Sequence, residues 1–348
     1  MTDLGPWGRD RYEAELTPVE GVLGRVVRVD RGECDAMTDD GRVRVLSDSV
    51  RSQDEIAPVT GDWVDIVEDD ELGPVIDRVF PRVTSVSRRD PAERDLVQVL
   101  AANLDVVAVV HGLDRPLPPG RLERFLVIAH QSGARPVVIL TKVDAVQSGD
   151  EAESTQSLVR ALAGDMAVIA SSIVDGRGLD DVRSLIGSGR TLALVGPSGV
   201  GKSALVNALA GHEVLEVGEV RDADAKGRHT TTARELVLLP DDAGLVLDTP
   251  GIRAIGLWEA ENALDLVFGD LEALATECRF GDCAHAGEPG CAITDGVASG
   301  AVDERRVQRY RALVAELAAQ REREAERERR DQKDGRGRGR GRGRRRRR

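Results

Sequence analysis

Aromatic residues are scarce: three Trp, two Tyr and four Phe make up 3% of 348 residues. A surface that reads bases mainly by stacking is therefore poorly provided for. Long apolar runs are missing too, since stretches such as 104–110 and 191–195 fall far short of the roughly 20 residues of a membrane helix. The first residues do not lead from a basic region into an apolar core, so a secretory leader is not expected. The expectation is a cytoplasmic protein without membrane contact, and a monomer. Cysteine is sparse as well: of four, three lie within 278–291, which in a reducing compartment points to a metal rather than to disulfides. No internal repeat is visible. With 41% hydrophobic and 31% charged residues, the chain has the composition and length of two or three globular domains.

The net charge of −13 conceals an asymmetry. Residues 335–348 read GRGRGRGRGRRRRR, and setting these nine arginines aside leaves −22 on the rest. Such a segment cannot bury enough apolar surface to fold alone, and its usual partner is a phosphate backbone; a solvated solubility tail is the other reading.

Four regions follow from the patterning. Residues 1–88 combine a flexible N-terminus with short alternating strands, such as RVRVL at 42–46 and WVDIV at 63–67, separated by turn signals. That spacing suggests a five-stranded barrel of the OB type, with Trp63 and Phe80 in its core. Residues 89–258 alternate buried strands (104–110, 136–140, 167–170, 191–195) with helices (121–131, 157–163, 179–186), the pattern of a parallel sheet covered on both faces. Segments 235–239 and 244–247 add an edge hairpin. Residues 259–330 hold a helix, a Cys-rich knot and a long helix from 302 to about 330, and 331–348 form a disordered basic tail. The expected fold class is α/β multidomain: barrel, P-loop domain and α-helical metal-binding domain.

Gly196-Pro197-Ser198-Gly199-Val200-Gly201-Lys202-Ser203 fits the phosphate-loop pattern between a strand and a helix. Its glycines let backbone N–H groups turn around phosphate oxygens at a helix N-terminus. Lys202 is placed to reach the β- and γ-phosphates, and the Ser203 hydroxyl to hold Mg²⁺. Asp248-Thr249-Pro250-Gly251 follows another apolar strand; Asp248 suits a water-mediated Mg²⁺ contact and the Gly251 amide a γ-phosphate sensor. Between them lies Lys226-Gly227-Arg228-His229-Thr230-Thr231-Thr232, in which one Thr hydroxyl could complete the Mg²⁺ shell. Spacing does not decide which; Thr231 is favoured.

Thr141-Lys142-Val143-Asp144 stands directly after a strand, where a carboxylate can accept both N–H donors of guanine's Watson–Crick edge. That selects GTP over ATP. Asn is usual at the first position, and Thr141 keeps a hydroxyl but loses the amide, at a cost to guanine affinity. Ser171-Ser172, after the next strand, is placed to back the base, although Ser-Ser is also ordinary turn chemistry. These base motifs precede the phosphate motifs, the reverse of the usual order, so the domain reads as a circular permutation.

Cys278, Cys283, His285 and Cys291 place three thiolates and an imidazole within 14 residues, a closed Cys₃His set for one structural Zn²⁺. Cys34 stands apart and reads as a buried small hydrophobe.

With GDWV at 61–64, AANLDVV at 101–107, TKVD, GPSGVGKS, GRHTTT at 227–232, DTPG and the Cys₃His set, residues 20–315 resemble the ribosome small-subunit-dependent GTPase A family (RsgA/YjeQ type). The resemblance implies an OB barrel, a permuted G domain and a zinc domain acting on the 30S subunit and its 16S rRNA late in maturation, with GTP hydrolysis to GDP stimulated by the ribosome. Ile252 follows the DTPG motif where many GTPases carry a water-orienting Gln, and isoleucine cannot orient water. Slow intrinsic turnover is the expectation, with His229 taking that role on a partner, as the resemblance also suggests; a loop histidine without a catalytic role is the alternative. Other functions that the residues leave open are a GTPase acting on another RNA particle, such as the large subunit, and a nucleotide-gated RNA-binding module.

Overall fold

The computed structural model describes residues 3–16, 19–47, 56–89, 97–146, 149–215, 235–248 and 260–341. Five N-terminal strands, β1 (Val22–Val29), β2 (Glu33–Thr38), β3 (Gly41–Leu46), β4 (Trp63–Asp69) and β5 (Gly73–Val79), close a barrel in the order β1-β2-β3-β5-β4. Closure comes from the parallel contact of Leu46 with Val75, and this order is that of an OB barrel. Alternation along each strand turns Val26, Cys34, Ala36, Val45, Val64, Ile66 and Ile76 inward as one core. Trp63 and Phe80 are buried. Strands β6 (Ser85–Arg89) and β7 (Val97–Ala102) form a two-stranded sheet.

The chain then builds β8 (Val106–Gly112), α1 (Pro119–Gln131), β9 (Arg135–Thr141), α2 (Gly149–Ala163), β10 (Ala167–Ala170), α3 (Leu179–Ile186), β11 (Thr191–Val195), α4 (Lys202–Ala210), β12 (Leu236–Leu238) and β13 (Leu245–Asp248). These strands make one six-stranded sheet, β10-β9-β8-β11-β13-β12, parallel except for β12. Every residue of β8 and β11 is buried, as central parallel strands require. Val106, Ala108 and Val110 share a core with Val182, Ile186, Leu205 and Leu209 of α3 and α4, while α1 packs against β8 and β9. From β8 the sheet grows outward to β9 and β10 on one side; β11, β13 and β12 lie on the other. The strand order therefore reverses between β8 and β11, and α/β sheets bind ligands at the C-terminal ends of strands at such a point.

One expectation is corrected. The N-terminus is not flexible over residues 3–16: Leu4, Trp7, Tyr12 and Leu16 are buried, and Arg11 pairs with Asp105 at the start of β8. Those few large side chains have enough apolar area to outweigh the ordering entropy of a short segment. They are organised around Arg25 of β1, which donates to the carbonyls of Trp7 and Asn103 and to Thr191 Oγ1 at 2.9 Å, with the Tyr12 and Trp63 rings beside its guanidinium. The chain forms two compact units, residues 1–88 with 99–255 and residues 89–98 with 256–348.

The second unit contains α5 (Glu261–Val267), α6 (Gly269–Ala275), α7 (Ala292–Ser299) and α8 (Glu304–Gly341). Val307, Leu313 and Leu317 of α8 are buried, whereas Val314 is exposed. The long helix runs to Gly341 rather than stopping near 330, so the Gly-Arg segment begins inside it. No helix among the described residues is long and apolar enough to cross a membrane.

Candidate nucleotide and metal sites

Sheet order brings the sequence motifs to one edge. β11 ends at Val195, and the φ of 152° and close approach to β8 of the next residue, Gly196, exclude a side chain: a Cβ there would lie 2.4 Å from the Val110 carbonyl oxygen. The loop closes at Gly201, the left-handed N-cap of α4. Lys202 Nζ donates to the carbonyls of Gly196 and Pro197, both at 3.0 Å, and burial pushes its pKa down. A buried ammonium without a carboxylate in hydrogen-bond contact among the described residues is suited to an anionic ligand.

Ser203, in the first turn of α4, donates from Oγ to Asp248 Oδ2 at 2.5 Å, joining two motifs 45 residues apart. Asp248 Oδ1 is buried without a hydrogen-bond partner among the described residues, and burial pushes this carboxyl upward. An orphaned carboxylate oxygen beside a serine hydroxyl is a hard oxygen donor set of the kind Mg²⁺ takes. The residues present therefore fit that ion. His229, Thr231 and Gly251 lie outside the described residues.

The base-recognition motifs meet at the ends of β9 and β10. Lys142 adopts a left-handed conformation at φ 60°, which turns the chain out of β9 into the short helical segment Val143–Ala145. Ser172 Oγ donates to Asp144 Oδ1 at 2.5 Å, and Val143 N donates to the Ser171 carbonyl at 3.3 Å, so the two loops are knit together. Ser171 N is anchored on the Leu140 carbonyl at 2.7 Å. Asp144 is exposed at this edge, whereas Ser171 and Ser172 are buried. Thr141 takes a part that spacing did not reveal: its Oγ1 donates to the Val200 carbonyl at 2.5 Å, bridging β9 to the phosphate loop. A second missed feature is the pair Asp114–Arg115 after β8, whose side chains reach Lys142 and Gly199. A charged pair immediately after a fully buried strand, at the ligand-binding edge of the sheet, is the signal that would have found it.

In the second unit, Cys278, Cys283, His285 and Cys291 place their ligand atoms within 4.8 Å of one another. The Cys278 and Cys291 sulfurs lie 3.5 and 3.6 Å from His285 Nδ1. With Zn–S of about 2.3 Å and Zn–N of about 2.05 Å, a tetrahedral angle sets that S···N separation near 3.6 Å. The group fits a tetrahedral metal ion, with Nδ1 as the imidazole donor. The loop is shaped for it: Glu288 accepts from the Ala284 and Ala286 amides at 3.1 and 2.7 Å, and His285 sits at φ 57°. Cys291 also caps α7, its sulfur accepting from Thr294 N at 3.4 Å.

The RsgA GTPase family model matches residues 79–258. The small ribosomal subunit biogenesis GTPase RsgA of Streptomyces avermitilis is 45% identical over 318 residues, covering 90% of this chain and 85% of that protein. Its namesake from Methanosarcina acetivorans is 40% identical, covering 76% of this chain and 70% of that protein. Among solved structures, YjeQ from Thermotoga maritima superposes with a TM-score of 0.60 at 24% identity, over 85% of this chain and 98% of that one. YloQ, described as a circularly permuted GTPase, gives 0.59 at 20% identity, over 87% and 97%. These likenesses agree with an architecture of N-terminal barrel, permuted sheet and C-terminal Cys₃His region, and the chain belongs to the RsgA GTPase family.

Proposed function

We propose that this chain is a cytoplasmic GTP hydrolase that acts as a monomer in late maturation of the small ribosomal subunit, binding 16S rRNA within the 30S particle and turning over faster on it. The observation that carries the reading is the convergence of Lys202, Ser203 and Asp248 with the Thr141–Asp144 and Ser171–Ser172 loops where the strand order reverses. One sheet edge then offers a phosphate cradle, hard oxygen donors and a purine-selecting carboxylate.

In this reading Gly196, Pro197, Ser198, Gly199, Val200 and Gly201 cradle the phosphates, and Lys202 exchanges its loop carbonyls for β- and γ-phosphate oxygens. Ser203 and Thr231, with Asp248 through water, would hold Mg²⁺, which when bound would neutralise charge on the phosphates. Asp144 accepts the two guanine donors, Ser172 fixes its carboxylate, and Thr141, Lys142 and Val143 form the wall of the base pocket with Ser171. Gly251 senses the γ-phosphate. Since Ile252 has no polar group, His229 takes the role of orienting the attacking water when the chain is on its partner. One Zn²⁺ per chain would be held by Cys278, Cys283, His285 and Cys291, four protein ligands that leave no open position and so imply a structural role.

The test is GTP turnover with purified 30S, 50S and 70S particles added. Stimulation by 30S supports the proposal. Stimulation by 50S alone assigns the chain to the large subunit, and particle binding without any stimulation leaves a nucleotide-gated RNA-binding module.

A further inference from the structure

The phosphate loop is gripped from outside by residues that no phosphate motif includes. Arg115 donates from Nη2 to the Gly199 carbonyl at 2.8 Å and from Nη1 to the Ser198 carbonyl at 3.4 Å. Its Nε donates to Asp114 Oδ1 at 3.1 Å, and Asp114 Oδ2 accepts from Lys142 Nζ at 2.7 Å. That ammonium donates to the Gly199 carbonyl as well, at 2.9 Å. With Thr141 on Val200, three consecutive loop carbonyls are capped. The packing is close: a Cβ on Gly112 would lie 2.5 Å from Asp114 Oδ1 and 3.6 Å from Lys142 Cδ. Hydrogen bonds from Arg115 and Lys142 pull the Asp114 carboxyl down to about 2, so it stays ionised between the two cations.

A peptide unit points its C=O and N–H in opposite directions. The Ser198 carbonyl shares its plane with the Gly199 N–H, and the Gly199 carbonyl with the Val200 N–H. Gly199 has φ +77°, a region glycine enters and leaves at little cost, so its flanking peptides can flip unless something selects one orientation. A guanidinium on both carbonyls selects it, and polarises both N–H groups as donors.

We propose that Arg115 is a positioning residue for the nucleotide's phosphates: by holding the Ser198 and Gly199 carbonyls outward, it keeps the Gly199 and Val200 N–H groups aimed into the cradle. The inference rests on residues 196–203 being the phosphate loop, and it adds a residue that acts through that loop.

The test measures GDP and IDP affinity of the full chain, its Arg115→Ala and Arg115→Lys variants, and the melting midpoint of each without nucleotide. IDP lacks only the guanine 2-amino group and carries the same diphosphate. Arg115→Ala is expected to weaken both ligands by the same factor, about tenfold for the loss of one to two charge-assisted hydrogen bonds, with the GDP:IDP ratio held within about twofold. Arg115→Lys, which can reach one carbonyl, is expected to lose about threefold. Three results overturn the proposal: unchanged GDP affinity, a changed GDP:IDP ratio that places the effect at the base, or an affinity loss matched by a large fall in the melting midpoint. Should Arg115→Ala not fold, Arg115→Lys decides, and wild-type affinity in it is contradictory. If the unsubstituted chain binds neither nucleotide, the phosphate-loop reading falls first and this inference with it.

Discussion

Cys291 has two roles that substitution can separate. It stands in the Cys₃His group, and its sulfur caps α7 by accepting from Thr294 N at 3.4 Å. Apparent folding energies of structural zinc sites are about 10–16 kcal/mol over four ligands, so one thiolate carries on the order of 3 kcal/mol, a factor of about 10² in zinc affinity. Serine at 291 keeps an oxygen that caps helices well, whereas alanine forfeits the cap at about 1 kcal/mol. Cys291→Ser and Cys291→Ala are therefore expected to lose zinc to a chromophoric chelator equally, at least about 10²-fold more readily than the unsubstituted chain. With zinc removed from both, the alanine variant is expected to unfold about 1 kcal/mol earlier in urea than the serine variant. Wild-type zinc retention in Cys291→Ser would refute the ligand assignment; identical zinc-free stability of the two variants would refute the cap.

Three further outcomes are expected. Asp144→Asn replaces an acceptor of two guanine N–H donors by one acceptor and one donor, so GTP affinity is expected to fall about 10²–10³-fold while XTP affinity rises, read by competition binding; unchanged GTP preference contradicts the base-site reading. Asp248 has a raised pKa through burial, so the folded state holds its proton more tightly than the unfolded chain does. The stability it contributes is present below the ordinary carboxylate pKa and is lost as pH rises through the raised value. At pH 7.5 without Mg²⁺, Asp248→Asn is accordingly expected to melt higher than the unsubstituted chain while losing the stabilisation that GDP with Mg²⁺ confers; a lower melting midpoint contradicts this. His229→Ala is expected to keep nucleotide affinity and to lose particle-stimulated turnover, with wild-type stimulated turnover the contrary result.

What the sequence made legible followed from strong local signals. Strands such as VVAVV and TLALV could only be central in a parallel sheet, the glycines at 196, 199 and 201 and the Lys-Ser pair marked the turn from β11 into α4, and the Cys₃His spacing picked out four residues whose ligand atoms lie within 4.8 Å of one another. Less legible were contacts made across the sheet's edge. Thr141 looked like a weakened Asn because its partner, the Val200 carbonyl, lies 59 residues away and is backbone. Asp114 and Arg115 lacked any periodicity, and the role of each is fixed by β8 lying next to β11. The N-terminal segment was misjudged for a related reason. Leu4, Trp7, Tyr12 and Leu16 carry neither helix nor strand period, and what orders them is tertiary, a buried Arg25 with acceptors contributed by Trp7, Asn103 and Thr191. Side chains that serve irregular backbone leave little trace in hydrophobic patterning.

The most direct test of the account is GTP hydrolysis by the full chain with purified 30S subunits, alongside ATP as the competing substrate. The account predicts slow turnover alone, a marked increase on 30S, and no such increase with ATP. Turnover of ATP equal to that of GTP, or a GTP rate that 30S leaves unchanged, would contradict it.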